Sequence, residues 1–153
     1  TARFVTNFQP LNKCIVRPVH PFPSPRQIRQ RIHPDSSFFC TMDLRWGFYQ
    51  RKLDEGSQIL TTFLLPEGKF CYTRLPMGLS ISSDEFCQTT DEIIAGLQGV
   101  QKLVDDLLIE SVTEKELLQR VRRVLERARQ NNMIISKRKI QFGTSVKFAG
   151  FII

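Results

Sequence analysis

Apolar and polar positions along the chain follow two rhythms. Phe38-Phe39-Cys40-Thr41-Met42 is a continuous run entered after Pro34-Asp35 and closed by Asp43, the pattern of a strand buried on both faces. Residues 58–65 and 70–75 read as two further strands joined by the turn Pro66-Glu67-Gly68-Lys69, which predicts a hairpin. Residues 100–109 repeat the strand pattern around Asp105-Asp106, and those two aspartates are expected on the turn. Helical spacing takes over elsewhere. Ser82 and Glu85 have the separation of a capping box ahead of Phe86, Ile93, Ile94 and Leu97, which predicts a helix ending near Gly96 or Gly99. Glu114–Gln130 places Leu117, Leu118, Val121, Val124, Leu125 and Ala128 on one face and arginines on the other, the stripe of an amphipathic helix lying on a sheet. Upstream, a strand-like start at residue 3 gives way to the turn-prone Gln9-Pro10-Leu11-Asn12. An extended proline-rich connector over 18–25 and a short helix over 26–32, with Pro25 at its first position, follow. The tail returns to strand character at 133–136 and 146–151 around a basic turn, and no internal repeat is present.

Length and composition add bounds. The 153 residues suit one domain or part of one, and 41% hydrophobic with 24% charged residues is ordinary for a folded, soluble protein. No stretch offers the roughly 18 apolar residues of a membrane span, so no membrane partner is expected. Both ends are expected to be cuts from a longer protein. The net charge of +7 comes from 22 Lys+Arg against 15 Asp+Glu, with the excess concentrated in residues 115–139. A polyanion is the natural partner, and a merely soluble basic surface is the competing reading. Cys14, Cys40, Cys71 and Cys87 lack metal-site spacing and read as reduced thiols of an intracellular protein.

Asp105-Asp106 is the most informative feature. Two like charges between apolar strands repel each other and resist desolvation, and a hard divalent cation such as Mg²⁺ removes both penalties. On the dipeptide alone, a solvated Asp-Asp hairpin turn is the favoured account. Asp43 changes the balance, because it closes another apolar strand that neighbours these two if all three are central. Three carboxylates at one sheet edge can hold two cations about 3.5 to 4 Å apart, the arrangement that activates a 3′-hydroxyl and stabilises pyrophosphate departure.

Three motifs then lie in order and register. Met42-Asp43-Leu44-Arg45-Trp46-Gly47-Phe48-Tyr49-Gln50, Leu75-Pro76-Met77-Gly78-Leu79 with Glu85-Phe86-Cys87-Gln88, and Leu103-Val104-Asp105-Asp106 closely resemble the reverse transcriptases of gypsy-type long-terminal-repeat retrotransposons. Arg3-Phe4-Val5-Thr6-Asn7-Phe8 before them, and Lys139-Ile140-Gln141-Phe142 with Phe148-Ala149-Gly150 after, extend the likeness over nearly the whole chain. The resemblance implies an α+β fold: the palm of a right-hand polymerase, an antiparallel sheet backed by helices, with part of the fingers. Residues 1–37 would be partial fingers and connector, 38–57 palm, 58–78 the fingers hairpin, 79–147 palm and 148–153 the start of the primer grip. Thumb, connection and ribonuclease H would lie outside this fragment.

The resemblance also assigns roles. Asp43, Asp105 and Asp106 would ligate Mg²⁺, or Mn²⁺, with the Leu44 carbonyl as a further oxygen. Phe48 would exclude a ribose 2′-hydroxyl by steric conflict, against the plain reading of one more core ring among 12 phenylalanines. Arg3 would contact the nucleotide triphosphate, as its planar charged fork suits, or else be a solvated terminal arginine. Met77 and Gly78 would lie near the nascent base pair. Lys139 would be a general acid toward pyrophosphate, with simple phosphate-facing charge as the alternative. The implied partners are an RNA or DNA template with primer, deoxynucleoside triphosphates and the rest of a Pol polyprotein, in a cytoplasmic virus-like particle or the nucleus.

Departures accompany the match. Leu103 stands where the family prefers an aromatic, Asn7 and Gln9 replace the usual Asp and Arg, and Ile140 replaces a common cysteine. No metal ligand is lost. The expected activity is RNA-directed DNA polymerisation; a catalytically silent nucleic-acid-binding relic and an RNA-directed RNA polymerase are the competing readings.

Overall fold

In the computed structural model, which describes residues 5–153, the elements run in the order α1 (Gln9–Asn12), α2 (Pro25–Arg31), β1 (Phe38–Asp43), α3 (Glu55–Leu60), β2 (Phe63–Leu65), β3 (Gly68–Phe70), α4 (Ser82–Ile94), β4 (Val100–Leu103), β5 (Asp106–Ser111), α5 (Glu114–Gln130), β6 (Gln141–Gly143), β7 (Lys147–Phe148) and β8 (Phe151–Ile152). Single 3₁₀ turns occupy Gly47–Gln50 and Lys137–Lys139. The chain forms two compact units, one combining the residues up to His20 with Trp46–Phe86, the other combining Pro21–Arg45 with Cys87–Ile153. Among the described residues no helix is long and apolar enough to cross a membrane.

The second unit is built on an antiparallel sheet in the order β4-β5-β1-β6. Residues directly opposite in such a ladder share a face, and alternate residues change face. Cys40 and Met42 therefore lie with Ile109 and Leu107 on the side where α5 packs against β1 and β5 through Leu117, Val124 and Ala128. On the other side Phe39 and Leu108 join Ile28 of α2 and Val146 and Phe148 of the β7–β8 hairpin in one buried cluster. Covering both faces explains why the run from Phe39 to Met42 is buried without alternation. The helix α2 starts where the sequence predicts, with Ser24 and Gln27 forming a reciprocal capping box and proline in the first turn. α5 matches its predicted span with Thr113 as N-cap, but its buried stripe is narrower than expected: Leu118 is 54% and Leu125 42% exposed.

The first unit departs most from the sequence reading. Residues 58–65 do not form one strand. Asp54 accepts the Ser57 amide and starts the helix α3 there, leaving only Phe63–Leu65 to pair with Gly68–Phe70. The second predicted strand, 70–75, is cut short for a different reason. Its last residues pair with 51–53 instead: the Leu53 amide donates to the Thr73 carbonyl at 3.1 Å and the Leu75 amide to the Arg51 carbonyl at 2.9 Å. The turn-prone Gln9–Asn12 makes one helical turn. Ser82 opens α4, and its hydroxyl donates to the Pro76 carbonyl at 2.7 Å. In the tail, Ile135 makes only an isolated bridge to Leu44, and the fourth strand of the sheet is Gln141–Gly143, which sequence periodicity missed.

Candidate active site

Asp43 ends β1 and Asp106 begins β5, and the two are direct partners in the ladder. Directly opposed residues carry their Cβ atoms about 4.5 to 5.5 Å apart on one face, so strand pairing alone converges these carboxylates. Asp105 lies on the two-residue loop joining β4 to β5, exposed, after Val104. Val104 holds a φ of 53°, left-handed for a β-branched residue. A positive angle at the first loop position is the sign pattern of a type II′ turn, whose twist matches the flanking strands. Such strain costs roughly 1–3 kcal/mol and persists where neighbours over-determine it. Here the Leu103–Asp106 pair closes the loop, and the Leu44 amide donates to the Asp105 carbonyl at 2.8 Å.

Lys139 reaches the site from its 3₁₀ turn, and Nζ donates to Asp43 Oδ2 at 2.8 Å. That bond, with the charge of Asp43, raises the lysine above its ordinary pKa. The Ser136 amide donates to the Asp43 carbonyl at 2.8 Å and fixes the turn that carries the lysine. Asp106 is raised above the usual carboxylate range by burial first, then by the charges of Asp105 and Asp43, with Lys139 pulling the other way. Beside these groups opens a cavity of about 480 Å³.

The expected metal cage is not preformed. Among the described residues no three or more His, Cys, Asp or Glu side chains are grouped to hold a metal ion. Asp43 is instead paired with the Lys139 ammonium. The donor set still fits one, because hard carboxylate oxygens suit Mg²⁺, and Asp106 sits where burial first, and then the charges of Asp105 and Asp43, disfavour its ionised form until a cation joins it.

Phe48, Met77 and Gly78 lie in the first unit. Phe48 is half-buried, edge-on to Phe86 at 5.5 Å, and packs against the cluster of Phe8, Leu75 and Leu79. Met77 is 38% exposed, while Gly78, with a φ of 95°, offers its carbonyl to Asn12 Nδ2 at 2.9 Å. Arg3 lies outside the described residues. Leu44 is buried, and its amide ties the end of β1 to the aspartate loop. Leu103 shares the face of Asp106 and packs against the cluster that holds the β7–β8 hairpin, so an aliphatic side chain does packing work there. Ala149 and Gly150 turn that hairpin with φ of 53° and 82°.

Two ion pairs escaped the sequence reading. Lys102 is buried on β4, donating to the Cys87 carbonyl at 2.6 Å and pairing with Asp91 at 2.9 Å. Arg17 pairs with buried Asp84 at 2.5 Å, and the His20 amide donates to the same carboxylate at 2.9 Å. A lysine inside an apolar strand was the visible signal for the first. For the second, nothing local links an arginine to an aspartate 67 residues away.

A family model described as reverse transcriptase (RNA-dependent DNA polymerase) matches residues 1–153. The chain is 31% identical over 154 residues to the transposon Tf2-7 polyprotein of Schizosaccharomyces pombe, covering 99% of this chain and 12% of that polyprotein. It is 30% identical over 142 residues to the retrovirus-related Pol polyprotein from transposon 412 of Drosophila melanogaster, covering 92% of this chain and 11% of that one. The chain thus spans a small part of the length of these relatives. Among solved structures, the foamy viral protease-reverse transcriptase dRH in complex with double-stranded DNA superposes with a TM-score of 0.92 at 24% identity, over 99% of this chain and 27% of that one. The same viral protein in complex with an RNA/DNA hybrid gives 0.90 at 24% identity, over 97% and 20%. The prototype foamy virus protease-reverse transcriptase CSH mutant gives 0.87 at 27% identity, over 99% and 20%.

Proposed function

Because the chain belongs to the reverse transcriptase family, of the gypsy type found in long-terminal-repeat retrotransposon polyproteins, we propose that it carries the nucleotidyl-transfer centre of an RNA-directed DNA polymerase. The observation that carries this reading is the ladder pairing of Asp43 with Asp106, with Asp105 on the adjoining loop. Asp43, Asp105 and Asp106 are the residues that would hold Mg²⁺ or Mn²⁺, with the Leu44 carbonyl as a further oxygen. Such cations, when bound, supply the Lewis acidity that activates the primer 3′-hydroxyl and neutralises the departing pyrophosphate.

The chain's own groups do the rest. The left-handed Val104 backbone, closed by the Leu103–Asp106 pair, sets the turn that carries Asp105 next to the start of β5. Lys139, raised by Asp43, stays protonated through neutral pH and holds a proton at Nζ for the leaving group. Phe48, which packs edge-on against Phe86, is the residue that would exclude a 2′-hydroxyl by steric conflict. The foamy viral proteins are in complex with double-stranded DNA and with an RNA/DNA hybrid; template and primer would be the corresponding partners of a chain with this basic excess, bound mainly through phosphates and weakened by salt.

Primer extension on the native protein tests the reading. Asp105→Asn is expected to abolish extension while leaving duplex affinity within about twofold, because base-independent phosphate contacts are untouched. A wild type that binds template-primer yet extends nothing with Mg²⁺ or Mn²⁺ would leave the silent nucleic-acid-binding reading in its place. Phe48→Ala is expected to relax discrimination against ribonucleotides by about tenfold or more, since steric exclusion is the basis of the gate. Unchanged selectivity removes the gate assignment, and a wild-type preference for ribonucleotides points instead to an RNA-directed RNA polymerase.

A further inference from the structure

The cavity beside the paired aspartates has a second wall. Arg138 reaches it from the 3₁₀ turn, Lys147 from β7, and Thr41 and Gln141 face each other across the β1–β6 ladder. Lys139 is occupied by Asp43, whereas among the described residues neither Arg138 nor Lys147 has an ion-pair partner. Lys147 is held in place by its backbone. Gln141 Oε1 accepts its amide at 3.0 Å and Nε2 donates to its carbonyl at 3.5 Å, which leaves the ammonium unencumbered. Thr41 is only 6% exposed, and its Oγ1 is buried with no hydrogen-bond partner. Two residues from Asp43 on one strand, it lies on the same face as that carboxylate. A buried hydroxyl left unpaired is costly unless a ligand or water completes it.

These features do not serve the aspartates. With Asp43 neutralised by Lys139, the wall presents two uncommitted cations and an unsatisfied hydroxyl, a set suited to phosphate oxygens. Building on the polymerase reading, we propose that Lys147 and Arg138, with Thr41 behind them, form a phosphate-oxyanion subsite adjoining the catalytic carboxylates, and that Gln141 is its positioning residue. The same chemistry has two sources, the leaving pyrophosphate and a backbone phosphate of the primer.

A direct test requires no turnover. Inorganic pyrophosphate is titrated by calorimetry into the native protein in EDTA at low salt, alongside Lys147→Ala, Arg138→Ala and the double variant. Both side chains are exposed, so the fold should survive, and circular dichroism verifies it. Wild type should bind, each single variant should lose about three- to tenfold, and the double variant more than tenfold. No wild-type binding, or a double variant that binds as wild type does, overturns the subsite. An inactive polymerase would defeat the function proposed above without touching this result. Kinetics then separate the sources. A raised pyrophosphate KM in pyrophosphorolysis with unchanged template-primer affinity assigns the wall to the leaving group. Weaker template-primer binding, with a salt slope shallower by about one, assigns it to a primer phosphate.

Discussion

Val104 is the residue on which the aspartate loop turns, and its left-handed backbone is a cost the flanking ladder absorbs. Glycine there relieves the Cβ conflict but loses more chain entropy on folding, and the two effects nearly cancel. Val104→Gly is therefore expected to leave stability within about 1 kcal/mol of wild type, by urea denaturation, while lowering the rate of extension. A loss above about 2 kcal/mol would show that packing, and not strain, governs the site. Residue chemistry was the most legible layer. Asp43, Asp105 and Asp106 could be selected from sequence because carboxylates ending apolar strands are costly and therefore conspicuous. Lys139 is singled out by the family resemblance alone, and its bond to Asp43 is a contact between residues 96 apart that no local pattern announces.

Elements with a clear period were legible, and elements fixed by distant partners were not. α5 shows 3.6-residue spacing and a good cap, so its span could be read directly. The segment 58–65 has strand composition, yet Asp54 caps a helix there, and the strand predicted over 70–75 loses its end to residues 51–53. A local cap overrode strand composition in the first case, and long-range pairing did so in the second. Lys102 ties β4 to α4 by the same kind of non-local bond, and its burial invites a test of how much an ion pair stabilises an edge strand. Asp91 is 42% exposed and can be solvated alone, so Lys102→Met, which keeps the volume and removes a buried charge, should cost under about 1 kcal/mol. Lys102→Ala should cost about 2–4 kcal/mol through the cavity it leaves. Equal losses in chemical denaturation would mean that the charge itself is what matters.

At the scale of the whole molecule, each unit is closed by contacts between segments far apart in sequence. In the first, Asp84 receives Arg17 and the His20 amide, and the arginine bond above all holds its carboxyl below the ordinary range. The sign follows from linkage. An unfolded chain takes up the proton at the ordinary carboxylate pKa and the folded chain only at a lower one, so the stabilisation is complete above the ordinary value and is lost as pH falls through the depressed one. Asp84→Asn should flatten the acid limb of a thermal-melt series below about pH 4, and an unchanged limb would relegate the pair to the surface class. In the second unit, the ladder that joins Asp43 to Asp106 also constrains which lengths of chain can serve there. Side chains alternate faces with a period of two, so a single-residue insertion within β1 or β5 would send one aspartate to the opposite face, while a pair of inserted residues would keep it on the same one. Related sequences should therefore tolerate odd-length gaps between 51 and 75, where helix, hairpin and turn absorb them, and admit only even-length gaps inside these two strands. Gap parity thus becomes a way to tell working copies of this element from broken ones.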